Sequence, residues 1–393
     1  MTSGAAETPA GSAAALRLAN EQRVLDVLRQ SAPDRPGGQA PTAHTQAELA
    51  RATGLARATI SNIVRDLAAQ GLVETRAGSG RRGSSVRLAR DAGVVVGVDF
   101  GHRHLSVAVG DLTGRLIGEE RRVLAAPLGP RDALRQARAI AETLVPAGAT
   151  LRKVGLGLPA PVIHDTIGTP AIFPGWENTD ARAVAAAVFD APVRVENDAN
   201  LGALAEHRVG VAHGCRHAVF VKISSGVGAG LILDDQVFHG AEGTAGEIGH
   251  LTLDEQGPFC RCGSRGCLEA YASTSTLEHL LADTLPDADF NEIVAAADRG
   301  HVSARRALED AGLHLGWALA TIVNLVNPEV VVVGGEMVKA GDTLLEPARV
   351  GLRRHALDSA SGTPIRASQL GERASLVGAV LLAAESTDLR ASP

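Results

Sequence analysis

Four side chains of one chemical type of site stand close together in this chain. His250, Cys260, Cys262 and Cys267 fall within eighteen residues, and the last three are three of the chain's four cysteines. Three thiolates and an imidazole form the donor set of tetrahedral Zn2+. Four protein ligands leave no position for water, so the metal is expected to be structural and to pin a Gly-rich loop. Redox chemistry is the competing reading, but Cys-x-Cys is a poor dithiol pair. Cys215 lies apart and reads as an ordinary core or surface thiol. When one ring nitrogen of His250 binds metal, the other is available to a second partner such as a sugar hydroxyl. Glu247 and Glu269 flank the cluster and offer hydroxyl acceptors.

A second group of polar residues, Asn197, Asp198 and Asn200, follows Val193–Glu196, a strand signal, and opens an Ala-rich helix over 199–207. Polar residues at the carboxyl end of a strand face ligands in α/β folds. Asn197 and Asp198 suit sugar hydroxyls, and Asp198 is placed to take a proton from a hydroxyl attacking phosphate. The competing reading makes Asp198 the cap of the helix. Two glycine turns complete the chemistry. Val94–Asp99 runs into Gly101-His102-Arg103-His104 and then Leu105–Val109, while Ala218–Ile223 runs into Ser224-Ser225-Gly226-Val227-Gly228. Two such hairpins suggest duplicated halves facing a cleft, where backbone amides approach an anion. Asp99, Gly101, Gly226, Gly228, Gly334 and Gly335 are the candidate phosphate and nucleotide positions. Taken singly, each turn reads equally well as a plain hairpin. Phe173–Trp176 reads as a loop with an exposed aromatic edge, and His314 and Trp317 as packed residues of the helix over 311–326.

These groups sit in a chain of 393 residues with 45% hydrophobic and 21% charged residues, an ordinary globular composition. Four cysteines exclude a small disulfide-stapled fold, and no run of about 18 apolar residues suggests a membrane span. Residues 1–15 lack the charged start and apolar core of a signal peptide, so a cytoplasmic protein is expected. The charge divides near residue 90. Residues 1–90 carry 12 Arg, no Lys and 7 acids, leaving 26 basic and 37 acidic residues after them. Every aromatic residue also lies in the second part. We therefore expect a disordered tail over 1–16, a basic module over 17–90 and an acidic body over 91–393.

In the basic module, Val24, Leu25, Val27 and Leu28 mark a first helix. Thr45 with Glu48 predicts a capping box for a second. Leu55, Ile60, Ile63, Val64 and Leu67 mark a third, which starts at Ala56 without a capping side chain. Two strands, Leu72–Glu74 and Ser85–Leu88, flank a basic tip containing Arg81 and Arg82. This is the pattern of a winged helix-turn-helix. Arg57, Thr59, Ser61, Asn62 and Arg65 of the third helix, with the two wing arginines, are the candidate DNA contacts. A helical protein-docking module with a solvated arginine loop is the competing reading.

Over about residues 17–385 the chain resembles the ROK family (repressor, open reading frame, kinase). The motifs are Glu196-Asn197-Asp198-Ala199-Asn200, Gly246–His250, and Cys260-x-Cys262-Gly263-x-x-Gly266-Cys267-x-Glu269. The resemblance implies an α/β fold: a two-lobed, actin-like ATPase (sugar kinase) domain preceded by the winged module. It also implies sugar contacts from Asn197, Asp198, Glu247, His250 and Glu269. Asp198 would be the base in a catalytic member, and His250, Cys260, Cys262 and Cys267 would hold zinc. The chain departs from the family in the first phosphate loop, Asp99-Phe100-Gly101-His102-Arg103, where the kinases have Asp-x-Gly-Gly-Thr. His102 puts a side chain where a glycine admits phosphate, and Ser224 replaces a glycine of the second loop. The sugar half is thus expected intact and the ATP half damaged. That combination describes a transcriptional regulator, in the repressing sense, that senses a sugar or sugar derivative. It would bind a palindromic operator on double-stranded DNA as a homodimer or homotetramer. An ATP-dependent sugar kinase carrying a DNA-binding head is the alternative.

Overall fold

The computed structural model describes residues 13–30, 43–76, 84–124, 128–163, 166–167, 175–176 and 179–389. The first twelve residues of the expected tail lie outside this set, as do Arg81, Arg82, Phe173 and Pro174. The first helix begins at Ala13, inside the stretch expected to be tail.

The basic module is three helices and a small sheet. Helix α1 spans Ala13–Gln30, strand β1 His44–Thr45, α2 Gln46–Thr53, α3 Arg57–Ala69, β2 Val73–Arg76 and β3 Ser85–Leu88. The strands lie in the order β1-β3-β2. Thr45 Oγ1 accepts from the Glu48 amide at 3.2 Å, and the Thr45 amide donates to Glu48 Oε2 at 2.7 Å, closing the capping box. Gly54 stops α2 in the left-handed region, at φ 71°. Ala56 precedes α3 with no side-chain cap, as the sequence reads. Ile60, Ile63, Val64 and Leu67 point inward at helical spacing and meet Val24, Leu25 and Leu28 of α1.

The remaining chain builds two sheets of the same design. The first contains β4 (Val94–Phe100), β5 (His104–Asp111) and β6 (Leu116–Val123), then α4 (Pro130–Leu144) and β7 (Leu151–Leu158). A small hairpin, β8 (Val162–Ile163) with β9 (Thr166–Ile167), and α5 (Ala181–Phe189) precede its last strand, β10 (Val193–Asn197). Helix α6 (Asp198–Val209) crosses to the second sheet: β11 (Ala218–Ile223), β12 (Val227–Leu233) and β13 (Gln236–Val237). Helices α7 (Glu269–Ala272), α8 (Thr274–Leu280), α9 (Phe290–Asp298) and α10 (Val302–Val326) lead to β14 (Val330–Gly334). Helix α11 (Asp342–His355), β15 (Ile365–Ala367) and α12 (Ala374–Glu385) complete it. The orders β10-β7-β4-β5-β6 and β13-β12-β11-β14-β15 both join an antiparallel meander to two parallel strands. The chain is therefore duplicated, as the two hairpins suggest.

Helices α6 and α12 lie between the two sheets, seated by glycines. A Cβ on Gly155 of β7 would stand 2.0 Å from the Ala379 carbonyl, and one on Gly97 of β4 would stand 2.6 Å from Val380. A Cβ on Gly378 of α12 would stand 2.0 Å from the Leu201 carbonyl of α6, and one on Gly202 of α6 would stand 2.2 Å from the Phe220 ring of β11. Backbone thus rests on backbone where α12 meets β7 and α6, and the Phe220 ring packs α6 on the second sheet. Trp176 is buried, 1% exposed, against Phe100 rather than lying on a loop edge, because that ring closes the apolar end of the first sheet. Trp317 is 39% exposed and stacks on His355, so it is less packed than its place on α10 suggests. Among the described residues no helix is long and apolar enough to cross a membrane.

Candidate functional site

One cleft between the sheets gathers Asn197, Asp198, Glu247, His250 and Glu269 with Gly101, Gly226 and Gly228. Each is delivered by an element end. Asn197 closes β10 and caps α6: its Oδ1 accepts from the amides of Ala199 at 2.9 Å and Asn200 at 3.2 Å. Its Nδ2 donates to the Ala160 carbonyl at 3.2 Å. The helix cap is therefore Asn197 and not Asp198. Asp198 is left as the first residue of α6, buried and aimed into the cleft. Glu196 anchors the same corner through His239 at 2.8 Å and Asn200 at 2.9 Å.

Asp198 meets a cation that the sequence reading missed. Lys222 Nζ of β11 donates to Asp198 Oδ2 at 2.8 Å and to Ser375 Oγ at 3.0 Å, and lies 4.0 Å from Asp99 Oδ1. Burial opposes the charge on Lys222, but Asp198 and Asp99 outweigh it and hold its pKa above the usual lysine value. Burial likewise opposes ionisation of Asp99, yet Lys222 and His104 hold that carboxyl below its usual range. A lysine in a strand of apolar residues must be paired, and this one is.

The first glycine turn is filled, though not by the expected side chain. A Cβ on Gly101 would stand 2.2 Å from the ring of His104, whose Nε2 lies 3.3 Å from Asp99 Oδ2. His104 opens β5, so its side chain falls on the face that carries Asp99, while His102 stands on the turn and lines the cleft. The second turn is covered as well. Arg261, between the first two cluster cysteines, reaches over Gly226 and donates to Glu269 Oε1 at 2.7 Å and Oε2 at 2.9 Å. Glu269 Oε2 also accepts the Val227 amide at 3.0 Å. Glu269 thus enters the cleft already matched, whereas Glu247 is pushed up to about 7 by burial, with Asp198 and Glu269 nearby. Gly334 and Gly335 stay outside the cleft lining. A Cβ on Gly334 would meet the Phe220 ring at 2.6 Å, and Gly335 takes φ 79° against the Ile223 carbonyl.

Ion pairs tie the two halves together beside these turns. Arg103 meets Glu278 at 3.1 Å, Arg373 meets Glu119 at 2.7 Å, and Arg121 meets Glu336 at 3.7 Å as well as Glu372. The exposed ones are individually weak. Of these residues Arg103 and Glu336 line the cleft itself.

The ligand atoms of His250, Cys260, Cys262 and Cys267 all lie within 4.8 Å of one another, so the four residues could hold a metal ion. His250 Nδ1 faces Cys260 Sγ, and its Nε2 faces Glu247 Oε2 at 4.0 Å. The ring thus turns one nitrogen to the cluster and the other to the cleft. The loop from 251 to 268 has two isolated bridges among the described residues, Thr252 to Cys267 and Phe259 to Arg265, and its neck is closed by backbone bonds from the Leu253 amide to the Gly266 carbonyl at 2.8 Å and from the Leu268 amide to the Leu251 carbonyl at 3.0 Å.

His102 supplies a pH prediction. Burial, with Arg261 close by, pushes its pKa from the ordinary 6.5 down to about 4. A histidine depressed on folding is kept neutral in the native state while the unfolded chain takes up protons. Its share of stability is therefore present above about pH 6.5 and is lost as the pH falls towards 4, by on the order of 1–3 kcal/mol. Urea unfolding at pH 7 and pH 4.5 checks this. Wild type should lose more stability over that interval than His102→Asn, and equal losses would contradict it.

On the basic module, Arg57, Ser61, Asn62 and Arg65 of α3 are exposed along one side, and Thr59 is half-buried beside them. The Arg65 guanidinium donates to Asn62 Oδ1.

The ROK family profile matches residues 95–386, and the MarR family profile matches residues 23–83. The xylose repressor of Caldicellulosiruptor bescii is 27% identical over 86% of this chain and 91% of its own length. The glucokinase of Thermotoga maritima is 31% identical over 74% of this chain and 97% of its own length. A solved ROK family transcriptional regulator, a homologue of the Escherichia coli MLC protein, superposes with a TM-score of 0.76 at 24% identity, over 93% of this chain and 96% of its own.

Proposed function

This chain belongs to the ROK family, and on that premise we propose that it is a DNA-binding transcriptional regulator, a repressor, whose cleft senses a sugar without phosphorylating it. The observation that carries this reading is the filling of the phosphate side. His104, Lys222 and Arg261 stand over or between the two glycine turns, matched respectively to Asp99, Asp198 and Glu269. A nucleotide phosphate would have to displace three side-chain contacts that the protein makes with itself. On the other side Asn197, Asp198, Glu247 and His250 remain gathered, a set of donors and acceptors suited to hydroxyls. The α3 face of Arg57, Thr59, Ser61, Asn62 and Arg65 is the proposed reader of DNA, and a homodimer would bring two such helices to a palindromic operator.

The cluster residues fit Zn2+. Bond lengths of about 2.3 Å to sulfur and 2.0 Å to nitrogen give tetrahedral edges of about 3.5–3.8 Å. Cys262 and Cys267 place their sulfurs 3.8 Å apart, and Cys260 Sγ lies 3.7 Å from His250 Nδ1. With four protein ligands such an ion serves structure and leaves no site for water activation. His250, Cys260, Cys262 and Cys267 would hold it, and Glu247 would fix the His250 ring from the cleft side.

A second reading, an ATP-dependent sugar kinase with a DNA-binding head, is favoured by the place of Asp198 at the start of α6 and by the retained Gly226 and Gly228. A coupled ADP-release assay over D-xylose and D-glucose separates the two. The sensor reading expects no turnover but a sugar-dependent rise in Tm. Robust turnover abolished by Asp198→Asn would overturn it in favour of the kinase.

A further inference from the structure

Helix α12 touches the cleft at one end and the DNA-binding module at the other. Its second residue, Ser375, donates to the Asp198 carbonyl at 2.8 Å and accepts from Lys222 Nζ at 3.0 Å. Its far end is gripped by cations from other elements. The Arg29 guanidinium of α1, itself buried, donates to the carbonyls of Glu385 and Thr387, and Lys153 Nζ of β7 donates to that of Ser386. These carbonyls end the helix and attract positive charge. Leu376, Val380, Ala383 and Ala384 share one face of α12 and pack in the cluster that holds Val24, Leu25 and Leu28 of α1. Val377 and Leu381 face Leu204 and Ala205 of α6. With Gly97 and Gly155 seating it on the first sheet, the helix has little room to bend, so a displacement at Ser375 reaches Arg29 as a movement of the whole rod.

Lys222 has two places to go. Asp198 Oδ2 holds it now, and Asp99 Oδ1, 4.0 Å away, is a buried oxygen with no hydrogen-bond partner among the described residues. Such an atom is costly to leave unsatisfied, so the second position awaits a donor. We propose that Lys222 is the residue that reads effector occupancy, and that α12 carries its position to the DNA-binding module. A sugar hydroxyl donating to Asp198 Oδ2 takes over the acceptor that Lys222 uses. The ammonium then moves onto Asp99 Oδ1 and gives up its bond to Ser375, which keeps the Asp198 carbonyl. Helix α12, held by one bond fewer at that end, shifts its hold on Arg29 and with it the setting of α1 against α2 and α3. The two arrangements differ in which carboxylate Lys222 pairs with, so a ligand that favours one of them shifts the balance. This inference rests on the sensor reading above and adds the route by which the cleft acts on DNA.

The test measures coupling, the ratio of DNA affinities with and without sugar. Full-length chain is titrated with a DNA duplex selected by that chain from a random pool, with D-xylose, with D-glucose and without sugar. Arg29→Gln lies outside the cleft and outside the α3 face. It should leave sugar affinity within about twofold of wild type while a coupling of tenfold or more falls below twofold. Ser375→Ala should lose coupling in the same way. As a second readout, sugar should change hydrogen exchange at residues 383–389 in wild type and not in Ser375→Ala. Coupling preserved in both variants overturns the relay alone. A wild-type chain that binds sugar yet holds DNA equally tightly with and without it overturns the sensor reading, and the relay with it.

Discussion

Cys267→Ser is expected to strip the chain of its metal, from one zinc per chain to almost none by elemental analysis, and to abolish sugar binding with it. The loop over 251–268 is held by turns, two isolated bridges and a few backbone hydrogen bonds, and the ion would be what joins the cysteines of its tip to His250. That loop places Arg261 over Gly226 and leads directly into Glu269, so its collapse removes one wall of the cleft. In isolated zinc fingers the ion contributes on the order of 10–16 kcal/mol. Here the loop hangs on a folded domain, and a loss of several kcal/mol is expected, a fall in Tm of about 5–10 °C. Gly266→Ala asks the same question with all four ligands intact. Gly266 takes φ 62°, and a Cβ there would stand 1.6 Å from the Asp254 carbonyl, so the turn that brings Cys267 back to Cys262 must open. Both variants should lose metal, and Cys215→Ser, outside the cluster, should keep it. Full zinc content and unchanged Tm in Cys267→Ser would contradict the assignment.

The second large effect concerns DNA. Arg57→Ala/Arg65→Ala should weaken binding to a selected duplex about 10²–10³-fold. It should also flatten the dependence of log affinity on log salt by about two, if each arginine meets one phosphate. Both side chains are exposed on α3, away from the buried face of Ile60, Ile63, Val64 and Leu67, so the fold and sugar binding should survive. Nitrocellulose binding at several salt concentrations, with a thermal melt beside it, gives the answer. Affinity within threefold of wild type would remove α3 as the reader of DNA. Ala56 strengthens the expectation, because the start of α3 has no side-chain cap and leaves amide donors at the end nearest Arg57.

What could be read from the residues follows the range over which each feature acts. The Thr45–Glu48 capping box, the bare start at Ala56 and the apolar period of α3 are settled within a few residues, and they stand as the sequence implies. The four cluster residues are also close in sequence, and their convergence needs only a short loop. The duplicated sheets were legible from the repeated strand-turn-strand pattern. Direction at the turns was not. His102 was the expected intruder at the first glycine turn, yet His104 takes that place, because it is the first residue of β5 and strand alternation sets its face. The choice between Asn197 and Asp198 as cap depended on where α6 begins, a matter of one residue. Lys222 did carry a signal: a lone lysine within Val219–Ile223 has to find buried partners. Its partners lie on β4, α6 and α12, and only the packed sheets bring them together. Arg29 gave none, since it reads as the basic end of an amphipathic helix until its contacts 356 and 358 residues away are seen.

In the proposed regulator one chain joins a sugar cleft to a DNA-reading helix as a single equilibrium. Linkage makes the most direct measurement a reciprocal one. Affinity for a selected duplex is measured with and without saturating D-xylose or D-glucose, and sugar affinity is measured with and without that duplex, in the same buffer and without ATP. One sugar should weaken DNA binding at least tenfold, and DNA should weaken the binding of that sugar by the same factor. Sugar and DNA bound independently, each with an affinity indifferent to the other, would contradict it.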